Sequence, residues 1–113
     1  MSKPRETFAL LDDDGNLRAV AGPTPEWIDN FARRHRLRQS SIGSARLETV
    51  FLGRGQLDDD RVTGAFESVA TDRDGVQTVV HRCDTLAEAL GFHDSSVQAW
   101  EEALRVRRSK ESG

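Results

Sequence analysis

The sequence predicts an α+β fold, with an antiparallel sheet of four to five strands and two helices packed on it. Leu47-Glu48-Thr49-Val50-Phe51-Leu52-Gly53 is rich in β-branched and aromatic residues. It places Leu47, Thr49 and Phe51 on one face and Val50 and Leu52 on the other, the pattern of a strand buried on both sides. Asp74-Gly75 between two alternating runs is a hairpin signal. Leu86, Ala89, Leu90, His93, Val97, Trp100 and Leu104 recur at the spacing of one face of a long helix.

With 113 residues, 36% of them apolar, the chain fits one hydrophobic core. A flexible N-terminus is expected over 1–6, a single domain over 7–108 and a disordered tail over 109–113. Cys83 is the lone cysteine and has no internal disulfide partner, which suits a reducing compartment. No apolar run approaches the roughly 20 residues needed to span a membrane, and the first residues lack the apolar centre of a signal peptide. A cytoplasmic protein with no membrane partner is therefore expected. The net charge of −3, with 31% charged residues, favours solubility and mildly repels nucleic acid. Lysine occurs only at Lys3 and Lys110, and every other basic residue is arginine.

In chain order, Thr7 to Leu11 and Leu17 to Val20 read as short strands joined by Asp12-Asp13-Asp14-Gly15-Asn16, a turn by composition. The competing reading is a calcium loop, but aligning Gly15 with the loop glycine puts Leu10 at the first ligand position and Ala21 at the last. No metal is expected there. Thr24-Pro25-Glu26 opens a helix, with Thr24 as cap, Pro25 in the first turn and a carboxylate at the positive end of the dipole. Trp27, Ile28 and Phe31 form its expected inward face. The helix is expected to end in Arg33, Arg34, His35 and Arg36, with Arg38 just beyond. A helix dipole accounts for part of that cluster and a phosphate-binding patch for all of it; no aromatic residue interleaves to stack on bases.

Arg38 to Ile42 reads as a strand leading through Gly43-Ser44 into the central run, and residues 54–64 read as a loop. Its two glycines lack the Gly-Lys-Ser/Thr ending of a phosphate-binding loop, and Asp58-Asp59-Asp60 reads as a solvated tip. Ala65 to Thr71 and Val76 to Cys83 form the expected hairpin. Phe66, Ser68 and Ala70 share one face, Val76, Thr78 and Val80 share another, and His81 and Cys83 lie opposite the latter. A thiol near an imidazole is a candidate nucleophile and base, but no oxyanion-hole motif accompanies it and buried free cysteines generally act as small hydrophobes. Thr85 and Glu88 make a capping box for the last helix, and Arg105, Arg107 and Arg108 suit its end. Gly91 reads as a close approach to the sheet or a kink, and His93 as a core histidine.

Thr49-Val50-Phe51-Leu52-Gly53, Phe66-Glu67-Ser68 with one change, and Leu86-Ala87-Glu88-Ala89-Leu90-Gly91-Phe92-His93 with an inserted residue and Leu86 in place of Trp, resemble motifs of small uncharacterised proteins of phage and bacterial genomes. Those carry a Thr-Val-Phe-Leu-Gly strand, a Phe-Glu-Thr strand and a Trp-x-Glu-Ala-x-x-Gly-His helix. The likeness, with Trp27, Phe31 and Ile42-Gly43, covers roughly residues 7 to 105. This chain departs from it at Arg54-Gly55-Gln56, where the family begins a Leu-Asp-His loop. The resemblance implies a phage or prophage source and brings no activity, cofactor or mechanism with it.

The expectation is a non-enzymatic accessory protein that binds a host protein in the host cytoplasm, in the sharper form inhibiting a defence component. Asp12, Asp13, Asp14, Asp58, Asp59 and Asp60 are the candidate partner-binding residues, presenting negative charge to a basic surface. The alternatives are a nucleic-acid binder using Arg33, Arg34, Arg36 and Arg38, a cysteine-dependent enzyme at Cys83, a virion-associated or structural protein, and a homodimer formed through a sheet edge. No cofactor is expected.

Overall fold

The structure, a computed structural model, describes residues 5–111. Among these, eight strands and two helices follow in the order β1 (Arg5–Leu11), β2 (Leu17–Val20), α1 (Pro25–Arg34), β3 (Arg36–Ile42), β4 (Ala45–Phe51), β5 (Arg54–Asp58), β6 (Arg61–Thr63), β7 (Phe66–Thr71), β8 (Gln77–Cys83) and α2 (Leu86–Glu111). The α+β antiparallel class is the one expected, with the strands divided between two four-stranded sheets, β2-β1-β5-β6 and β3-β4-β7-β8. Among the described residues no helix is long and apolar enough to cross a membrane.

The central strand joins the two sheets. β4 runs through Leu52 and Gly53 into β5, and β6 returns through Gly64 and Ala65 into β7, so one long hairpin bends from the second sheet into the first. Gly53 at φ +73° and Gly64 at φ +67° supply the bends, in a region of backbone space that side-chain-bearing residues rarely occupy. The bend is tied by Leu52 N–H to Ala65 C=O at 2.8 Å and by Ala9 N–H to Gly53 C=O at 3.0 Å. Residues 54–64, expected as a loop, thus form β5 and β6. Charged and glycine residues hide them in the sequence, because β5 exposes Arg54, Gln56 and Asp58.

The principal core contains Ala9, Leu11, Phe51, Val62, Phe66, Cys83 and Ala89. α2 lies over the second sheet and meets all four of its strands. Its expected face is the one that packs: Ala89 and His93 are buried and Leu86, Leu90, Val97, Trp100 and Leu104 half-buried. Gly91 is exposed, and a Cβ there would meet nothing within 4 Å, so neither a close approach nor crowding explains it. α2 continues through Ser109 to Glu111 and β1 begins at Arg5, beyond the limits of 7 and 108 expected from sequence, while the rest of the segments expected to be flexible or disordered, 1–4 and 112–113, lies outside the described residues.

Three further expectations are corrected. α1 ends at Arg34, with His35 as its C-cap, and Arg36 and Arg38 belong to β3. Ile28 is 57% exposed rather than inward; the inward face of α1 instead includes Asn30, which accepts from the Leu11 N–H at 3.0 Å and donates to the Leu11 C=O at 2.9 Å. In β8 a register shift places Ala70 opposite Thr78 and Ser68 opposite His81, so Thr78 and His81 share a side. A bulge adds one residue to one strand and resets its alternation, which strict period-two counting cannot anticipate.

Candidate functional site

Both acidic runs occupy hairpin turns, for local reasons. The Asp12 carboxylate accepts the N–H groups of Asp14 and Asn16, each at 2.9 Å, and Gly15 takes φ +86°. This is the self-bonded turn that Asp favours. Asp13 pairs with Arg34 of α1. Asp59 and Asp60 turn β5 into β6, with Asp59 at φ 54°, a left-handed conformation that Asp tolerates better than most residues. Thr85 caps α2, accepting the Glu88 N–H at 3.1 Å and donating to the Glu88 carboxylate at 3.0 Å.

The fold brings these segments around one cleft of about 590 Å³, between the start of β2, β6 and the first turns of α2. Asp14, Asp60 and Asp84 line it with one basic residue, Arg61, and Leu17, Val62, Leu86 and Leu90 add apolar residues to the lining. Gly15 leaves room for Leu86, whose Cδ2 would lie 3.0 Å from a Cβ there. The Asp84 carboxylate is held by the Gly64 N–H at 2.7 Å. Of the six acidic residues singled out in sequence, Asp14 and Asp60 line the cleft; Asp58 and Asp59 are exposed beside it on the same hairpin, and Asp12 and Asp13 are engaged in the turn and the Arg34 pair. Asp84 stands outside both acidic runs, and in sequence it draws attention only as the neighbour of His81 and Cys83; its place just before the Thr85 cap was the available signal for a role in the cleft. Among the described residues no three or more His, Cys, Asp or Glu side chains are grouped to hold a metal ion.

The arginine cluster is divided between α1 and β3. Arg33 bonds Asp29 at 3.1 Å, Arg34 pairs with Asp13, and Arg38 Nη1 lies 2.5 and 2.6 Å from the two carboxylate oxygens of Asp94 on α2. Exposed pairs add little to stability, but they reduce the positive field that a phosphate would meet. Arg36 is exposed at the start of β3.

His81 and Cys83 do not form a reactive couple. The His81 ring stacks on Phe92, centroids 4.1 Å apart, and the buried Cys83 thiol points to the Thr85 C=O at 3.7 Å. Burial first, then the carboxylates of Glu88 and Asp84, raise the Cys83 thiol above its ordinary value, with the Thr85 contact opposing them. This is the reverse of the activation a nucleophilic cysteine requires.

A second polar arrangement lies between α2 and the second sheet. His93 is wholly buried, with Nε2 at 2.8 Å from Ser40 Oγ of β3 and Nδ1 at 2.8 Å from Thr49 Oγ1 of β4; Thr49 in turn meets Ser68 Oγ of β7 at 2.7 Å. Burial lowers the His93 imidazole below its usual value, Arg38 acts in the same direction and Asp94 opposes them. The ring is therefore neutral at neutral pH. The sequence marked His93 as a core histidine on the apolar face of α2; its hydroxyl partners, 44 and 53 residues away, carried no signal there. No protein-family model matches the chain, and comparison with curated proteins and with solved structures finds none similar to it.

Proposed function

We propose that this chain is a non-enzymatic binding module that docks its acidic cleft on a basic surface of a partner protein. The observation that carries this reading is the meeting of Asp14, Asp60 and Asp84, from three separate segments, around a cleft also lined by Leu17, Val62 and Leu90. A lysine or arginine side chain matches that combination, because its aliphatic stem packs on leucine while its charged head meets carboxylates. Asp58 and Asp59 on the same hairpin extend the negative field and favour encounter with a cationic surface. A host protein is the partner the phage-like resemblance implies, and inhibition of a host defence component is the finer form of the proposal.

The test replaces Asp14, Asp58, Asp59 and Asp60 together by Asn, sparing Asp12, which holds its turn, and Asp13, which pairs with Arg34. Tagged wild-type and quadruple-variant proteins are compared in host lysate with and without nuclease treatment, and the affinity of any retained protein is then measured against salt. The expected result is a basic protein held by the wild type, with affinity at least about tenfold weaker and less salt-sensitive in the variant. Equal retention by both proteins would overturn the cleft assignment. A wild-type complex lost on nuclease treatment would move the assignment to nucleic acid and the exposed Arg36.

A further inference from the structure

The face of α2 that covers the second sheet is apolar except at its middle, where His93 sits without exposure. Its two ring nitrogens are each 2.8 Å from a hydroxyl, and the chain Ser40–His93–Thr49–Ser68 links the helix to β3, β4 and β7. A neutral imidazole suits this arrangement, since one nitrogen donates and the other accepts. If Nδ1 carries the proton, it donates to Thr49 while Ser40 donates to Nε2. If Nε2 carries it, it donates to Ser40 while Thr49 donates to Nδ1.

A second ring proton breaks either arrangement. Both nitrogens then donate, both neighbouring hydroxyls must accept, and the hydroxyl proton displaced at one end of the chain loses its acceptor. A cation is also created in an interface closed to water, which is costly without a counter-charge. Among the described residues, the charged groups around it offer no free one. β3 contributes Arg38, which repels. α2 contributes Asp94, already held through both oxygens by Arg38 at 2.5 and 2.6 Å. β8 contributes His81, stacked on Phe92. On β4 and β7, the residues facing His93 are Thr49 and Ser68, and strand alternation sends Arg46, Glu48 and Glu67 to the opposite side.

We propose that His93 is an acid-sensitive latch, holding α2 on the second sheet while the ring is neutral and releasing the helix when the ring takes up a proton. Release also withdraws Ala89 from the core it shares with Ala9 and Leu11 of β1 and Leu86 from its place beside Gly15.

The test is amide hydrogen exchange of the full chain at pH 7 and pH 5, corrected for the intrinsic pH dependence of exchange, in the wild type and in His93→Gln. Gln keeps one donor and one acceptor and does not titrate. The expected result in the wild type is faster exchange across residues 86–104 at pH 5, by up to about tenfold per pH unit below the free-histidine value, with the acid response absent from the variant. The same acid response in both proteins overturns the latch, as does unchanged α2 exchange in the wild type. A magnetic-resonance titration of the wild-type His93 ring decides the matter if the variant fails to fold. A ring that stays neutral until α2 begins to open supports the proposal, and one that protonates at or above the free-histidine value in the closed protein overturns it.

Discussion

Trp27 of α1 donates its indole N–H to the carbonyl of Gly53 at 2.8 Å, pinning the helix to the bend where the central strand passes from one sheet to the other. The contact is close because Gly53 has no side chain. A Cβ there would stand 2.5 Å from Phe31 Cδ1 and 2.8 Å from Trp27 Cζ2, and the residue lies at φ +73°. Phe31 stacks on Trp27 with centroids 5.1 Å apart, and Phe8 of β1 meets the indole edge-on at 5.2 Å. The glycine that ends the strand in sequence is therefore the seat of α1.

Gly53→Ala is expected to destabilise the protein by about 2–4 kcal/mol, combining left-handed backbone strain with overpacking against two rings. Urea unfolding followed by Trp fluorescence measures it. A loss below about 0.5 kcal/mol, the range of a neutral surface substitution, would show that α1 moves away at little cost.

Gly91→Ala should act in the opposite sense. Gly91 lies within α2, is exposed, and has open space where its Cβ would stand. The substitution is expected to add about 0.5–1 kcal/mol by restricting the unfolded chain and improving helix propensity. A higher thermal midpoint with an unchanged circular dichroism spectrum would verify it.

Asn30→Ala removes the side chain that both donates to and accepts from the Leu11 backbone. Two half-buried peptide groups at the end of β1 would lose their partner, at a cost of about 1–3 kcal/mol. The same urea assay reports the loss, and faster amide exchange at Leu11 would place it.

Stability should fall as the solution is acidified through the histidine range. The His93 ring is lowered in the folded protein, by burial and then by Arg38, so the unfolded chain takes up its proton at the higher pH, near 6.5. Protons thus favour unfolding. The His93 contribution is complete above about pH 7 and declines below about 6.5, by at most about 1.4 kcal/mol per pH unit, until the pH reaches the folded ring's lower value. Urea midpoints at pH 7.5 and 5.5, with His93→Gln as reference, isolate this share from that of the carboxylates.

Cys83 gives the corresponding expectation at high pH. Its thiol is raised by burial first and by Glu88 and Asp84 next, so its neutral form supports the fold below the ordinary thiol value, and that support is lost as the pH rises through the raised one. In the folded protein at pH 8, the thiol should react with a disulfide reagent at least about tenfold more slowly than in urea. Equal rates would mean that Cys83 is accessible.

The strands β1, β2, β4, β7 and β8, the Thr24 and Thr85 caps and the inward face of α2 were legible in the sequence, because each depends on contacts within a few residues. β5 and β6 were not, since Arg54, Gln56, Asp58 and Arg61 face solvent and it is the pairing of Arg54–Leu57 with Arg5–Phe8, and of Gln56–Asp58 with Arg61–Thr63, that makes them strands. The division at the site is the same. Asp12 to Asp14 and Asp58 to Asp60 stood out as charge runs, but the inclusion of Asp84 and the loss of Asp13 to Arg34 follow from how distant segments meet. The sequence by itself determined the α+β class, the turns and the apolar faces, through hydrogen bonds and side-chain periodicity that act locally. Tertiary structure alone decided that Gly53 seats α1, that three aspartates share a cleft and that His93 finds hydroxyls on three strands. Those contacts join residues far apart in the chain, and their partners are fixed only when the two sheets and α2 exclude water together.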